Sequence, residues 1–338
     1  AFLTLLTVVA SLVPPRVFGN FLQTLQNNPE DAQIGQVIGI VGLAIVIRTI
    51  FSYFTNVRAS VLGEFILSSV RERFVEKVIE IPPRPATREE LLRVHTSSYI
   101  DEVLKEGLSG QWDGQRMDLA ELSSLFVGGT LIALDALLTG KTQLAIHFPG
   151  AKHHAQAEYS SGFCIFNDFA IAADIATKDH GLNVAILDID GHHGDGVENL
   201  TADNPRVITF SIHQFGIFPG TGDESKTGYF YNYPLEDGAG DKELLEGIDE
   251  FISTLGARER IWSWVPDLLF LTCGADGHRE DPLTGLNYSV EGYVAAASKV
   301  RERFNDIPIL MGGAGGYLPD IRTPEIWSKV ALSLSCKT

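Results

Sequence analysis

The sequence predicts an α/β protein with a mostly parallel sheet covered by helices on both faces, preceded by an α-helical transmembrane hairpin. Two observations predict the sheet. Short, continuously apolar runs alternate with helical stretches, and each run ends in conspicuous polar residues. Strands of this kind are typical of parallel sheets that are buried on both faces. A third observation predicts the hairpin: residues 1–54 contain two long apolar stretches.

Composition excludes one class of protein and suggests a compartment. The 338 residues suffice for one large domain or two smaller ones. A net charge of −17 argues against a nucleic-acid-binding protein, which needs a basic face. The same charge could attract a cationic substrate or serve solubility alone. Cys164, Cys273 and Cys336 are few and widely spaced, so we expect no disulfide framework and a reducing, cytoplasmic location for the catalytic part.

The N-terminal segment, residues 1–82, differs from the rest. Residues 34–54 are apolar over about the length that crosses a bilayer, and residues 52–82 continue as an amphipathic helix. On the stretches LVPPRVFGNFLQTL and LGEFILSSVRERFVEKVIEIP, the segment resembles the first two transmembrane helices of an ATP-binding cassette exporter. No Walker A motif occurs, which excludes ATP-driven transport by this chain. The alternatives are a buried or interfacial hairpin and a segment joined by a fused reading frame. Membrane association is expected only if the segment is natural.

After residue 82 the elements alternate. We predict strands at 143–148, 183–190, 206–213, 267–276 and 307–317, with helices at 163–178, 241–256 and 288–305. The C-terminal ends of parallel strands share one edge of the sheet, and that edge carries the site in such folds. The polar residues that follow these strands are therefore expected to meet there.

Three of these residues predict a metal centre. Asp190, His192 and Asp276 offer one imidazole and two carboxylates, a suitable set for a catalytic divalent metal. Zinc is the first expectation and iron(II) the alternative. Alone, Asp276 would be more typical of a helix N-cap and His192 of a core histidine. Asp188, Asp190 and His192 would project to one side if the extended chain continues, and such a cluster needs a cation.

A second group predicts acid–base chemistry. His153 and His154 are adjacent, and imidazole is the side chain that titrates near neutral pH. Asp188 and Asp195 are available to orient them. Tyr317, after the glycine-rich GGAGG, could donate a hydrogen bond to a developing oxyanion.

These motifs together resemble the zinc-dependent histone deacetylases and their bacterial relatives, the acetylpolyamine amidohydrolases and acetoin-utilisation proteins. The resemblance runs from PRPATREELLRVHTSSYIDEV to about residue 333. It includes HHAQAEYSSGFCIFNDFAIAA, DIDGHHGDGVEN, SIHQFGIFPGTGD, CGADGHREDPL and GGAGGY, in the order found in the family. It implies an arginase/deacetylase-like catalytic domain over residues 83–338, after the exporter-like segment 1–82.

The resemblance also implies roles for individual residues. Asp190, His192 and Asp276 would hold the zinc, and His154 would be the general base beside His153. Tyr317 would polarise the acetyl carbonyl.

Further roles implied by the resemblance concern the surroundings of these groups. Asp188 and Asp195 would support His153 and His154 respectively. Phe163 and Phe218 would form the walls of an acyl-lysine tunnel, with Gly162 on its floor. A structural potassium ion would take oxygens from Asp188, Asp190, His192, Ser211 and Ile212.

The chain departs from the family pattern at three places. The strand and helix that open the family's domain have no counterpart before residue 83. Gly191 stands where a larger residue is usual, which could loosen the ligand strand by up to ~1 kcal/mol. Asp113 is the candidate for the rim acid that grips the substrate backbone.

The expected function is metal-dependent removal of acetyl groups from acetylated lysine or an acetylated polyamine. One alternative is a binuclear metallohydrolase such as a ureohydrolase, although the double histidine and Tyr317 speak against it. The other is a membrane or transporter fragment fused to an incomplete, inert deacetylase domain.

Overall fold

A seven-stranded sheet lies at the centre of the structure, a computed structural model that describes residues 80–223 and 225–336. The strand order is β1-β7-β6-β2-β3-β5-β4. Every neighbouring pair is parallel except β4 with β5, which confirms the mostly parallel sheet. The strands are β1 (Leu144–His147), β2 (Val184–Asp188), β3 (Val207–Gln214), β4 (Ser225–Thr227), β5 (Phe230–Leu235), β6 (Leu268–Thr272) and β7 (Ile309–Gly312).

Helices cover both faces because strand side chains alternate between two separate cores. In β2, Ala185 and Leu187 pack into one hydrophobic cluster, whereas Val184 and Ile186 pack into the other. The described helices are α1 (Arg88–Leu91), α2 (Ser97–Leu104), α3 (Met117–Leu138), α4 (Asp168–Lys178), α5 (Asp195–Thr201), α6 (Asp241–Trp262), α7 (Val290–Arg303) and α8 (Arg322–Ser335).

The first core contains α6, α7 and α8, and the second contains residues of α1 to α4. Helix α3 is the one described helix that is long and apolar enough to cross a membrane by length and composition. More than half of its apolar stretch is buried inside the fold, and the helix packs against β1 and α4. A core helix of this kind is apolar nearly all round, as expected for a helix buried on several sides.

All five predicted strands are present, and the predicted helices correspond to α4, α6 and α7. The predicted hairpin falls almost entirely on residues 1–79, which lie outside the described part of the chain. It therefore stays a prediction, as does the domain boundary at residue 83.

One local expectation is wrong. The extended chain does not continue through His192, because β2 ends at Asp188. Asp188 Oδ1 accepts the backbone N–H of Asp190 (3.0 Å), and Asp190 Oδ1 accepts that of His192 (2.9 Å). Aspartate side chains that bond the backbone two residues on favour a turn over a strand. After the bend, Asp188 Oδ2 lies 2.7 Å from His153 Nδ1.

Candidate active site

Three predicted ligands converge beyond the C-terminal ends of β2 and β6. Asp190, His192 and Asp276 are all buried, and one ligand atom from each lies within 4.8 Å of the others. His192 Nδ1 is 2.7 Å from Asp276 Oδ2 and 3.2 Å from Asp190 Oδ1. Asp188, which the sequence grouped with them, does not belong to this trio.

Backbone groups fix the two carboxylates of the trio. Gly191 N–H donates to Asp276 Oδ1 and Gly315 N–H donates to Asp190 Oδ2, both at 2.8 Å. A Cβ at Gly315 would lie 2.7 Å from Asp190 Oδ2, and one at Gly274 only 2.1 Å from it. Gly274, after β6, and Gly315, after β7, therefore let the backbone approach the Asp190 carboxylate closely.

The trio fits a divalent metal. Burial and the neighbouring Asp190 raise the pKa of Asp276 to about 7, because two buried carboxylates repel each other. Burial opposes a charge on His192, but Asp190 and Asp276 outweigh it and raise the pKa of His192 to about 10. A positive charge between the two carboxylates would relieve their repulsion. Two carboxylates and an imidazole form a donor set that binds zinc or iron(II).

The two adjacent histidines each have a carboxylate partner. His153 Nδ1 lies 2.7 Å from Asp188 Oδ2, and His154 Nδ1 lies 2.7 Å from Asp195 Oδ1. Their ring centroids are 4.0 Å apart. The Nδ1–H of each ring is directed to its aspartate, so Nε2 is left as the chemically available nitrogen.

The environments of the two rings differ. Burial lowers the pKa of His153, but Asp188 and Asp190 outweigh it and raise that pKa to about 9. Burial and the neighbouring His153 lower the pKa of His154 to about 4. A cation held by the trio would repel a proton on either ring, because it neutralises the carboxylates that favour the charged form.

Two exposed phenylalanine side chains lie beside these groups. Phe163 and Phe218 are 67% and 49% exposed, and the Phe218 ring lies 5.0 Å from that of His154 and 6.2 Å from that of His192. The Phe163 ring lies 6.0 Å from that of Tyr317. The pairs at 6 Å or less contact nearly edge to face, an arrangement that aromatic rings prefer.

Gly162 lies directly against the catalytic candidates. Its φ is +51°, and a Cβ there would be 2.3 Å from His154 Cδ2 and 2.9 Å from Phe218 Cε1. Only glycine can adopt this positive φ without strain and also leave the space beside His154 free.

Tyr317 is anchored through its backbone. Its N–H donates to Asp281 Oδ2 at 2.8 Å. Burial, with Asp190 and Asp276 nearby, raises the pKa of the Tyr317 hydroxyl. The hydroxyl therefore stays protonated and can act as a hydrogen-bond donor.

The remaining predicted residues lie around this centre. Asp188 is next to Ser211 in the β2–β3 register, and Ser211 Oγ is 2.9 Å from His213 Nδ1. Ile212 is buried in the same strand. The potassium site to which these residues were assigned stays a prediction.

Asp113 is exposed in the loop between α2 and α3. Its role as the rim acid stays a prediction. In the same loop Gln111 Oε1 accepts the backbone N–H of Phe163 at 2.8 Å.

Gly191 leaves no space to fill, since a Cβ there would lie 2.5 Å from Thr284 Cγ2. The methyl group of Thr284 thus occupies the space that a larger side chain at position 191 would fill, and no cavity is left there.

Sequence reasoning missed several supporting residues. Gln156 Nε2 donates to Asp195 Oδ2 (2.8 Å), so the partner of His154 is held on both oxygens. Asp168 accepts from backbone N–H groups just before the histidine pair. Neither residue stands out in the sequence, because a lone glutamine or aspartate is most often a surface residue.

Comparison with known proteins assigns the family. The histone deacetylase domain matches residues 54–334, so the match begins within the exporter-like segment. The acetoin utilization protein AcuC of Staphylococcus aureus (strain MRSA252) is 33% identical over 306 residues, covering 83% of this chain and 76% of that protein. AcuC of Bacillus subtilis (strain 168) is 34% identical over 279 residues, covering 75% and 70%. Histone deacetylase 8 of Xenopus tropicalis is 32% identical over 272 residues, covering 73% and 70%. This chain therefore belongs to the histone deacetylase family.

Proposed function

We propose that this chain is a metal-dependent deacetylase that hydrolyses N-acetyl amides of lysine or of an alkylamine to the free amine and acetate. One observation carries the proposal. A buried Asp–His–Asp trio lies beside two histidine–aspartate pairs, with the His154 and His192 rings 6.1 Å apart under the same phenylalanine. A metal site with a general base beside it is what metal-assisted amide hydrolysis uses.

Asp190, His192 and Asp276 would hold the metal, and zinc is proposed, with iron(II) as the alternative. When bound, such a cation supplies Lewis acidity, which polarises an amide carbonyl and makes water more acidic. The potassium ion is proposed for the oxygens of Asp188, Ser211 and neighbouring backbone.

His154 is proposed as the general base. Its Nδ1–H is held by Asp195, so Nε2 is free to take a proton from the attacking water. Asp195 also accepts from Gln156, which keeps the carboxylate from rotating away. His153 lies 4.0 Å away between ring centroids, and one of the two imidazoles then protonates the leaving amine.

Tyr317 is proposed to stabilise the oxyanion. Its hydroxyl is protonated at neutral pH and its backbone is fixed by Asp281, so it can present a hydrogen bond to the carbonyl oxygen as charge develops. Phe163 and Phe218 would line the alkyl chain of the substrate and exclude water around it.

The substrate class follows from shape and charge. The exposed rings of Phe163 and Phe218 suit contact with an extended alkyl chain such as that of acetyl-lysine or an acetylated polyamine. The net charge of −17 favours approach of a cationic substrate. All three cysteines are free, which supports action in the cytoplasm.

The binuclear alternative lacks support. Within residues 80–223 and 225–336, one group of side chains has metal-ligand geometry, the Asp190–His192–Asp276 trio. A ureohydrolase-like enzyme would need acidic ligands for a second metal.

The test is hydrolysis by the zinc-loaded chain of an acetyl-lysine peptide and of N-acetylputrescine, followed as acetate released. His154→Ala should lower kcat by about 10²- to 10⁴-fold, the usual contribution of a general base. His180→Ala is the matched control, since this histidine is exposed in the turn that follows α4. Lack of turnover of either amide by a folded, zinc-loaded chain would refute the proposal. The preferred amide would distinguish protein from polyamine substrates.

A further inference from the structure

We propose that Asp168, the first residue of α4, is a positioning residue for two loops of the proposed active site. One is residues 148–154, which contain the histidine pair, and the other is residues 312–317, which contain Tyr317. The inference rests on the proposed function of His154 and Tyr317 and extends it to a side chain that touches neither substrate nor metal. We call Asp168 and its three donors, Thr130, Ala151 and Lys152, the Asp168 network.

The Asp168 carboxylate is fully buried, at 0% exposure, and both of its oxygens accept hydrogen bonds. Oδ1 accepts the backbone N–H of Lys152 at 2.7 Å. Oδ2 accepts the backbone N–H of Ala151 at 2.8 Å and the hydroxyl of Thr130 at 2.5 Å. No ion pair to this carboxylate exists among the described residues. A buried charge without a counter-ion is tolerated only where such donors satisfy it.

The ordinary explanation for an acid at the start of a helix does not account for these contacts. Acidic residues in a first turn interact with the helix dipole or cap free N–H groups. Here the N-cap of α4 is Asn167, whose Oδ1 accepts the N–H of Ala170 at 3.0 Å. Both oxygens of Asp168 are instead used by α3 and by the loop that follows β1.

The backbone that Asp168 holds leads directly into the histidine pair. Ala151 has φ +61°, a left-handed conformation that residues other than glycine disfavour. At Gly150 a Cβ would lie 2.6 Å from Thr130 Oγ1 and 2.7 Å from Asp168 Oδ2. The loop therefore passes so close to the carboxylate that it follows the position of Asp168 closely. His153 N–H in turn donates to Ala151 O at 3.0 Å.

The same loop holds the segment that carries Tyr317. Phe148 O accepts the N–H of Gly313 at 3.1 Å, and Gly150 O accepts that of Ala314 at 3.2 Å. The next N–H, that of Gly315, binds Asp190. A shift of the loop after β1 would thus be transmitted to the general base, to the oxyanion donor and to one metal ligand.

The direct test replaces Asp168 by asparagine, which keeps the shape of the side chain. Both oxygens of Asp168 accept hydrogen bonds, whereas the asparagine amide has only one oxygen. Its –NH₂ group would therefore face N–H or O–H donors that are left without an acceptor. The matched control is Asp174→Asn in the same helix, because Asp174 is also buried but pairs with the cations Arg93 and Lys178 rather than with backbone N–H groups. Two readouts are taken on the zinc-loaded full chain: kcat and KM for the acetyl-lysine peptide, and amide hydrogen exchange of residues 148–154 and 312–317.

Asp168→Asn should lower kcat by about 100-fold while KM changes by less than about twofold, because misplacement of about 1 Å slows the chemistry more than binding. Exchange should accelerate in both loops. Asp174→Asn should change neither. The inference is overturned if Asp168→Asn matches Asp174→Asn in kcat and in exchange.

A milder pair keeps the test decisive if Asp168→Asn does not fold. Thr130→Ser retains the hydroxyl that Asp168 accepts, and Thr130→Val removes it without changing shape. Valine should lower kcat by about 10-fold and serine should behave like the wild type. Equal behaviour of the two overturns the inference. If the wild type hydrolyses no amide, the proposed function fails, and the exchange comparison alone decides whether Asp168 orders both loops.

Discussion

Gly162→Ala adds one methyl group between His154 and Phe218, and its consequences can be worked out from the structure. The new Cβ would lie 2.3 Å from His154 Cδ2, whereas carbon atoms normally approach to about 3.5–4.0 Å. The imidazole must therefore move by more than about 1 Å, or the backbone must give. His154 cannot swing freely, because Nδ1 is bound to Asp195 at 2.7 Å. Displacement of a catalytic group by about 1 Å can cost about 100-fold in rate, and we expect a loss of kcat of that size.

Stability should fall as well. An alanine at φ +51° costs about 1–2 kcal/mol, and overpacking adds about 1–3 kcal/mol. The matched control is Gly181→Ala, at φ +70° with nothing within 4 Å of its Cβ. It carries the conformational cost alone and should keep full kcat with a Tm only a few degrees lower, since 1 kcal/mol shifts Tm by about 2–4 °C. The assay is acetate release from an acetyl-lysine peptide, with Tm from calorimetry. The reasoning is refuted if Gly162→Ala folds and keeps kcat within about threefold of the wild type, or if Gly181→Ala loses as much activity.

Three further predictions follow from the same site and its support. Tyr317→Phe should lower kcat by about 10²- to 10³-fold with unchanged metal content, and unchanged turnover would contradict its role as oxyanion donor. Burial lowers the pKa of His95 to about 4 from about 6.5, so the unfolded chain binds the proton first and stability should fall from pH 6.5 to 4 by up to about 3 kcal/mol. Urea titrations should show that His95→Gln reduces the fall in stability over this pH range by the His95 contribution. A chelator should abolish turnover and lower Tm, both reversed by zinc, because a metal bound only by the folded state stabilises it.

The sheet was predictable because most of its central strands are apolar runs. β2, β3, β6 and β7 are buried at every position, and all of them except β3 are apolar up to their last residue. Strand β4, at one edge of the sheet, and its neighbour β5 were not predicted. β5 contains Pro234 and is only partly buried, so its sequence lacks the apolar run that marks the others. Helix α3 was missed because a helix buried on several sides has little helical periodicity.

The grouping of Asp190, His192 and Asp276 could be predicted, although part of the reasoning was wrong. Asp190 and His192 meet Asp276 because two aspartate side chains bend the chain after β2, not because an extended strand places them on one side. The pairing of each histidine with its aspartate came from the family resemblance, and the observed distances of 2.7 Å agree with it. Asp168 could not have been found, since its donors are backbone N–H groups and a threonine 38 positions away.

The most direct test of the account is a zinc titration of the metal-free chain, with acetate release and bound zinc measured in the same samples. Turnover should rise in proportion to zinc and saturate at one equivalent. Asp276→Asn should bind zinc weakly and release no acetate at that loading. Full turnover by the chelator-treated chain, or none by a folded chain holding one zinc, would contradict the central claim that this trio holds the catalytic metal.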